Sequence, residues 1–439
     1  MKAKEVVLLI FLVFAGVVFY HLQTGKWRDL APWADDIMFW GKSYVYEETE
    51  EIALPETYRL EIENRHGDVE VVGQEGRTSL EATLRKDIRR RNEAEAAEIA
   101  GRLSTVVSHK GDLIRIATNR ADFRKQNFRT HIRILAPPGT AVDIRNSHGN
   151  IKVLDLGRTV VVNRHGRVRA AGIAGDADIA NSHGAIELED IEGGAVAAGR
   201  HADVRIRTVG GDLSVTNSFG RIRVEDIGGK TAISGRHNAV TGHRLEGPVR
   251  ISNTHDKITL EDTGPAEIEG YHSDVSVRGA RGRIGIATQH GRVTLENIRG
   301  GAEVKGRNVR VRGRHLRDGS IRIDTSHEKC DLDDFSGDAE INVSNGEISL
   351  SPLSPEDGLR VSGRYGAVRV LWPRGAAVSL EARARNGRVI WRLSGPEPFR
   401  DSNGTSLVRA FMAEGEEPRV VLSSQYGDIR IEDRPASQD

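Results

Sequence analysis

Apolar residues recur along this chain with a period of 17 or 18 residues. Counted from a recurrent histidine, the residues three and five positions later are mostly Val, Ile or Leu, as are those four positions earlier and eight positions later. The histidine position itself reads His148, His165, His183, His201, Phe219, His237, His255, His272 and His290. Alternation of apolar and polar residues over such short runs predicts half-buried β-strands.

A turn separates the two strands of each repeating unit, and it often reads Asn-x-His-Gly, as at 146–149, 163–166 and 181–184. Asn and Gly both tolerate left-handed backbone angles, so we expect both to adopt them on either side of the histidine. A unit this short cannot bury its apolar side alone, and units must therefore stack. The sequence predicts an all-β fold, a single-stranded β-solenoid of stacked units of about 18 residues.

A 36-residue super-repeat lies over the shorter period. The sixth residue after the histidine position alternates in charge: Glu189, Arg207, Glu225, His243, Glu261, Arg278 and Glu296. A coil of about 18 residues places opposite charges on neighbouring coils, whereas a 36-residue coil stacks like charges about 4.8 Å apart. Opposite charges directly across a strand pair stabilise it by ~0.2–1 kcal/mol and like charges destabilise it, so we expect the shorter coil.

The pattern also predicts where the solenoid begins and ends. We expect a signal anchor (1–25), an aromatic-rich juxtamembrane segment (26–53), an N-terminal β lobe (54–136), the regular solenoid (137–345), a less regular C-terminal solenoid with a cap (346–434) and a tail (435–439). One repeating unit, residues 60–73, stands apart from the main series. Residues 92–103 have helix-forming composition and predict one short helix.

The N-terminus predicts the compartment. Lys2 and Lys4 precede an uncharged apolar run at residues 6–20, which favours an uncleaved membrane anchor over a cleaved signal peptide or a buried helix. Three tryptophans between residues 27 and 40 suit the headgroup region, or packing over an open end of the solenoid. We expect a single-pass protein of the bacterial inner membrane with its solenoid in the periplasm or extracytoplasmic space.

Charge and composition narrow the class of partner. The 63 basic and 63 acidic residues balance, so no bulk electrostatic case exists for nucleic acid. With 48 glycines and 5% aromatics, the chain suits many tight turns around a thin aliphatic core. The single cysteine, Cys330, cannot form an internal disulfide.

The repeated histidines are the candidate chemical groups. Histidines one coil apart lie close enough to share Zn²⁺ or Ni²⁺, but a stable zinc site needs about four ligands, and this position repeats only one ligand type. Protonation of stacked imidazoles near pH 5–6 would make them repel, which predicts a pH-sensitive ladder as a second possibility. We favour structural turn residues, and the candidates for metal binding are His148, His165, His183, His201, His237, His255, His272 and His290.

Catalysis needs a cluster of acids or bases that breaks the repeat. Here the charged residues follow the repeat, so we expect no catalytic residue, no cofactor and no enzymatic activity. A long regular face could instead bind an envelope protein, a polysaccharide or another copy of the chain.

The opening "LEIENRHGDVEVVG" (60–73), the entry "ILAPPGTAVDIRNSHGNIKV" (134–153) and the recurrent N-x-x-G-[DNR]-[IV]-x-[VL] unit resemble a bacterial family of domains of unknown function. That family is labelled "putative adhesin" and is related to the head-GIN putative autotransporter adhesins. The resemblance covers residues 54–434 and implies an envelope-exposed, non-enzymatic β-solenoid. The histidine departs from the family's usual small or polar residue, so the resemblance implies no role for it.

The sequence thus predicts a membrane-anchored cell-envelope β-solenoid that acts as a scaffold or adhesin-like interaction surface. One alternative is a metal-binding or pH-sensing histidine ladder. A second alternative is a β-helix that binds or cleaves polysaccharide.

Overall fold

In the computed structural model, the chain winds into a flattened coil whose strands form two facing sheets, sheet A and sheet B. The structure describes residues 42–123, 127–354, 357–376, 379–394, 398–401, 406–410 and 417–435. Within the regular part, each coil contributes one strand to each sheet, and neighbouring coils pair in parallel. This confirms an all-β, single-stranded β-solenoid.

Sheet A contains the strands that follow the histidine turn in each coil, together with two antiparallel strands at the N-terminal end. Its strands are β1 (Lys42–Ala53), β3 (Val69–Gly73), β4 (Ser79–Arg90), β7 (Phe128–Ala136), β9 (Ile151–Leu154), β11 (Val168–Ile173), β13 (Ile186–Ile191), β15 (Val204–Val209), β17 (Gly220–Ile227), β19 (Asn238–Leu245), β21 (Ile258–Thr263), β23 (Val275–Arg281), β25 (Gly291–Arg299), β27 (Val309–Arg317), β29 (Cys330–Phe335), β31 (Ile348–Pro352), β33 (Val368–Trp372), β35 (Val389–Arg392) and β39 (Ile429–Asp433).

Sheet B contains the strands that lead into the histidine turn in the regular stack, together with antiparallel strands near each end. Its strands are β2 (Arg59–Glu63), β5 (Thr105–Lys110), β6 (Leu113–Thr118), β8 (Val142–Arg145), β10 (Thr159–His165), β12 (Ala177–His183), β14 (Ala195–His201), β16 (Leu213–Asn217), β18 (Thr231–Gly235), β20 (Val249–Asn253), β22 (Ala266–Gly270), β24 (Ile284–Thr288), β26 (Ala302–Gly306), β28 (Ile321–Thr325), β30 (Ala339–Asn345), β32 (Leu359–Tyr365), β34 (Leu380–Ala384), β36 (Phe399–Asp401), β37 (Ser406–Ala410) and β38 (Val420–Ser424).

The register between coils settles the coil length. Thr159 lies opposite Ala177 in sheet B, and Val168 lies opposite Ile186 in sheet A, an offset of 18 residues in both sheets. The 18-residue coil is therefore confirmed, and the 36-residue coil is excluded for this stack.

Alternating side chains build the core. In β12, Ala177, Ile179 and Asn181 point inward and are buried, while Asp178 is exposed. Because like positions stack, inward residues form columns such as Ile151, Val168, Ile186, Val204, Ile222, Val240, Ile258, Val275 and Val293, all buried. Burial of each such side chain contributes about 1.5–3 kcal/mol of transfer free energy. Neighbouring coils supply the cover that one coil lacks, so stacking is a condition of stability.

At the N-terminal end, the order of coils in space differs from their order along the chain. The isolated unit formed by β2 and β3 lies between the coil of β6 and β7 and the first coil of the regular stack. Beyond β7, strands β4 and β1 add antiparallel pairing. The C-terminal end repeats this arrangement, since β38 lies between β32 and β34, and β39 lies between β33 and β35.

The predicted helix is confirmed as α1 (Glu93–Arg102). The Asn92 side chain caps its first turn by accepting a hydrogen bond from the backbone N–H of Glu95 at 2.9 Å. Ile99 and Ala96 of the helix pack with Ile88 of β4 in a second, smaller core. This core lies beside the N-terminal strands rather than inside the coil.

The predicted membrane anchor and the three tryptophans lie outside the described residues, so the anchor stays a prediction. Among the described residues, no helix is long and apolar enough to cross a bilayer. Strand β1 occupies residues 42–53 of the segment that we expected beside the membrane, and it pairs along its whole length with β4. The β structure thus begins before residue 54.

Candidate functional site: a stacked aromatic edge

The recurrent histidines form one continuous column of rings along the edge where sheet B turns into sheet A. Neighbouring rings lie nearly parallel, with centroids 4.4–5.5 Å apart and interplanar angles of 22° or less. The column, which we call the aromatic ladder, consists of His66, His148, His165, His183, His201, Phe219, His237, His255, His272 and His290. The sequence predicted this column for the regular stack, and the structure adds His66 of the isolated unit.

The turn that presents the ladder depends on a buried asparagine two residues before the ring. Asn163 is 3% exposed, and its Nδ2 donates to the backbone oxygens of Gly149 at 3.2 Å and His165 at 3.3 Å. Asn181 repeats the arrangement with Gly166 O at 2.8 Å. These side chains add donors to turn carbonyls; His165 O, for example, also accepts a hydrogen bond from the backbone N–H of Gly149 at 3.0 Å.

The expectation that both Asn and Gly adopt left-handed angles was wrong for Asn. Gly166 has a φ of 125°, whereas Asn163 does not have a positive φ. A β-carbon on Gly166 would also overlap the backbone oxygen of Gly149 in the preceding coil. The glycine is therefore required by backbone conformation and by close coil contact, and the asparagine is required by its interior hydrogen bonds.

Two kinds of turn alternate along part of the stack, from Asn217 to Ser273. Asn217 is paired in register with Gly235, and a β-carbon on Gly235 would overlap Asn217 O. In the Gly235 coil, a different interior amide fills the space, because Asn238 Nδ2 donates to Asn217 O at 2.7 Å. His237 of that turn has a φ of 55°. In the stretch from Asn217 to Ser273, one coil places its interior polar residue before the ring and the next places it after the ring, whereas Asn163 and Asn181 lie before the ring in neighbouring coils.

Stacking limits the chemistry that the aromatic ladder can perform. Each inner ring has both faces covered by its neighbours, so only ring edges face solvent. Burial lowers the pKa of His66, and the charges of Arg120, His148 and Arg65 lower it further. Burial also lowers the pKa of His165, with His148 and His183 adding to the effect. The positively charged form of these two rings is therefore disfavoured.

The eight candidate metal ligands lie in this single column. Within the part of the chain that the structure describes, no three His, Cys, Asp or Glu side chains converge to hold a metal ion. Two imidazoles one coil apart offer fewer ligands than a stable zinc site needs. Metal binding by the ladder therefore stays a prediction, and the described residues offer no preformed set of ligands for it.

Beyond His290 the column changes composition but keeps its place. Asn308 Nδ2 lies 3.3 Å from His290 Nδ1, and Asn345 Nδ2 lies 3.0 Å from His327 Nε2. Tyr365 and Tyr426 then stack with centroids 4.8 Å apart. The two tyrosines are 61 positions apart along the chain, and only the displaced order of the C-terminal coils brings them together.

The predicted charge ladder runs along the outer face of sheet A. Arg207 Nη1 lies 3.3 Å from Glu189 Oε1, and Arg207 Nε lies 3.6 Å from Glu225 Oε2. Arg278 Nη2 lies 2.9 Å from Glu296 Oε2 in a later coil. These charges neutralise one another across coils, as the short coil predicted.

Cleavage of a polysaccharide would need a pair of carboxylates in a groove. Glu303 and Glu340 both line a groove of about 650 Å³ on sheet B, so they are the carboxylates to consider for this alternative. A hydrogen bond from Lys305 lowers the pKa of Glu303, and a hydrogen bond from Arg322 lowers the pKa of Glu340. A general acid in glycoside cleavage needs a raised pKa instead. These carboxylates are suited to ion pairing, not to proton donation.

Cys330 is likewise unsuited to nucleophilic chemistry. It lies in β29 with no exposed surface, in register with Val311 and Ile348. Burial raises the pKa of its thiol to about 12, so the thiolate is not populated near neutral pH.

Comparison with known proteins gives little. No family model matches the chain, and no curated protein matches it. One solved structure that matches is described as a "putative cell adhesion protein" from Clostridium sporogenes, with 7% identity over 89% of this chain and 100% of the other. The TM-score is 0.16, which carries no argument about fold or function. The family resemblance of the sequence stays a prediction.

Proposed function

We propose that this protein is a non-enzymatic, membrane-anchored β-solenoid of the bacterial cell envelope that acts as a scaffold or adhesin-like interaction surface. The observation that carries the proposal is the aromatic ladder, an uninterrupted exposed edge that spans ten coils from His66 to His290. Stacked solenoids present extended surfaces of this kind to their partners.

Charge placement supports the same proposal. On sheet A the ionic side chains pair across coils, as Arg207 does with Glu189 and Glu225. Beside the aromatic ladder, Arg200 and Arg236 are exposed and make no ion pair within the described residues. The edge therefore offers hydrogen-bond donors that the fold itself does not use, which is the property of a binding surface.

Two measurements test the proposal. Alkaline phosphatase fused after residue 435 should be active, because its disulfides form only outside the cytoplasm. Purified full-length protein should also bind isolated envelopes, and Arg200→Glu with Arg236→Glu should weaken that binding. An inactive fusion would reject the compartment, and unchanged binding of the double variant would reject the edge as the contact surface.

The lowered pKa values of His66 and His165 favour pH sensing as a second candidate function. Acidification would charge rings that lie one coil apart, and envelope binding should then change as pH falls below about 6.5. If the same rings bind metal, calorimetric titration with Zn²⁺ or Ni²⁺ should detect a site with a Kd below roughly 10 µM, which corresponds to a binding free energy of about −7 kcal/mol. Absence of heat at that affinity would leave the rings structural.

A further inference from the structure

A groove at the N-terminal end of the aromatic ladder collects an excess of positive charge. It has a volume of about 550 Å³, and its lining includes four arginines, Arg65, Arg120, Arg145 and Arg164. Among the described residues that line it, the one carboxylate is that of Glu63, which accepts a hydrogen bond from Arg115 at 2.6 Å. The groove thus has far more positive than negative charge.

Three of the four guanidinium groups have no carboxylate partner among the described residues. Arg65 and Arg164 are exposed and occupy the position just before the ring in their coils. Arg120 is partly buried, where Nη1 donates to Phe128 O at 2.8 Å and the guanidinium lies 4.2 Å from the centre of the Phe128 ring. Arg145 is the exception, since it pairs with Asp143 at 3.1 Å.

The pKa values of Arg120 and His66 are both shifted in the direction that an excess of positive charge produces. Burial lowers the pKa of Arg120, and the charge of Arg65 lowers it further. The two arginines also contribute to the lowered pKa of His66. A guanidinium whose pKa is lowered by a neighbouring cation belongs to a cluster that an anion would stabilise.

The shape of the groove selects an extended ligand. Residues from five successive coil levels line it, which corresponds to a length of about 19 Å at the spacing of paired strands. Arg65 and Arg164 lie two coils apart, about 9.6 Å along the axis. Between and beyond them, Ser147, Ser182 and Thr118 contribute hydroxyl groups. Cations spread along the groove with hydroxyl groups between them match a polymer that carries both anionic and neutral polar groups.

We infer that this groove binds an extended acidic glycan, with the guanidinium groups of Arg65, Arg120 and Arg164 contacting its carboxylates. Arginine is suited to this role because its planar donors match a carboxylate in bidentate geometry. Nucleic acid fits less well, because single strands bind by stacking bases on free aromatic faces, and the faces of the aromatic ladder are covered by neighbouring rings. This inference rests on the proposed function and specifies a ligand class for one part of the interaction surface.

Titration of the full-length protein in neutral detergent with oligogalacturonate, at physiological ionic strength, tests the inference. Binding should be measurable, and neutral dextran should not bind. Arg65→Gln with Arg164→Gln should weaken binding roughly tenfold or more, since each loses a charge-assisted hydrogen bond. Arg307→Gln with Arg364→Gln provides the matched control, because both residues occupy the same turn position outside the groove.

Several outcomes would overturn the inference. These are equal weakening by the control pair, unchanged binding in the groove variant, or tighter binding to anionic phospholipid vesicles or single-stranded DNA than to oligogalacturonate. Circular dichroism of each variant separates loss of binding from loss of folding. If the groove variant still binds isolated envelopes while oligogalacturonate fails to bind the parent protein, the glycan is wrong and the proposed interaction surface stands.

Discussion

Reversal of Arg207 tests how charges on neighbouring coils stabilise the solenoid. Its guanidinium lies 3.3 Å from Glu189 and 3.6 Å from Glu225, and all three side chains are between 30% and 50% exposed. Exposed pairs of this kind contribute ~0.2–1 kcal/mol each. Arg207→Glu loses both pairs and places three acids in a row, so the expected loss of unfolding free energy is about 1–2 kcal/mol.

The loss should shrink in high salt, because these charges are screened by solvent ions. Hydrogen exchange of β13, β15 and β17 is the suitable assay, since a repeat protein can open locally without unfolding globally. Arg205→Glu is the matched control: Arg205 lies on the same strand and makes no ion pair among the described residues, and its register partners are Glu187 and Arg223.

Charge reversal of the partners gives a sharper test. Glu189→Lys with Glu225→Lys should recover part of the loss caused by Arg207→Glu. Recovery is partial because Glu189 also contacts Arg169 at 3.3 Å and Glu225 contacts Arg244 at 2.7 Å. The reasoning would be refuted if the effects of the three substitutions simply added, or if salt left the loss unchanged.

Three further substitutions probe the interior and the edge. Gly242→Val should cost about 1–3 kcal/mol in denaturant unfolding, because its β-carbon would lie 2.8 Å from methyl carbons of Leu245 and Leu260, whereas Gly285→Ala should be tolerated in open space. Asn217→Ala should cost roughly 2–3 kcal/mol by the same assay, because its buried Nδ2 donates to Ala202 O and Phe219 O; a loss below about 0.5 kcal/mol would contradict this role. The pKa of His165 is lowered in the folded state, so the stability linked to its neutral form is present above the unfolded pKa of about 6.5 and is lost as pH falls through the folded pKa. His165→Phe, which introduces the side chain that this column already carries once, should therefore reduce the loss of melting temperature between pH 7.5 and pH 5.5; an unchanged pH profile would contradict this.

Much of the solenoid could be predicted because its repeat is visible in short stretches of the sequence. Alternating apolar positions predicted the strands, and the alternating charges from Glu189 to Glu296 predicted the coil length, because only one register places opposite charges together. The helix at residues 93–102 followed from composition. These features depend on neighbours one coil away, which a repeat places at a fixed sequence offset.

The order of coils at the two ends could not be predicted in the same way. The insertion of β2 between β6 and β8, and of β3 between β7 and β9, depends on contacts between distant segments, for which the sequence shows no fixed offset. The interior role of the asparagines was also missed, although a signal existed. Asn217, Gly235 and Asn253 alternate at one position while Asn238 appears at another, which indicates a shared interior space.

The anion groove could not be found from sequence pattern either. Arg65, Arg120 and Arg164 come from three separate segments, and formal net charge is zero over the whole chain. A net charge of zero argued against bulk attraction to polyanions, but net charge does not show where on the surface the charges lie. Within the described part of the chain, acids and bases pair on sheet A, whereas arginines beside the aromatic ladder, such as Arg65 and Arg164, make no ion pair.

Photo-crosslinking in living cells tests most directly whether the aromatic edge is the surface that contacts the envelope. A benzophenone side chain would replace Ser147 or Ser182 beside the ladder, and Ser214 or Ser234 on the outer face of sheet B would serve as matched positions. Our account predicts crosslinked envelope material at the two edge positions and little at the two sheet positions. Crosslinks confined to the sheet face, or equal at all four positions, would contradict it.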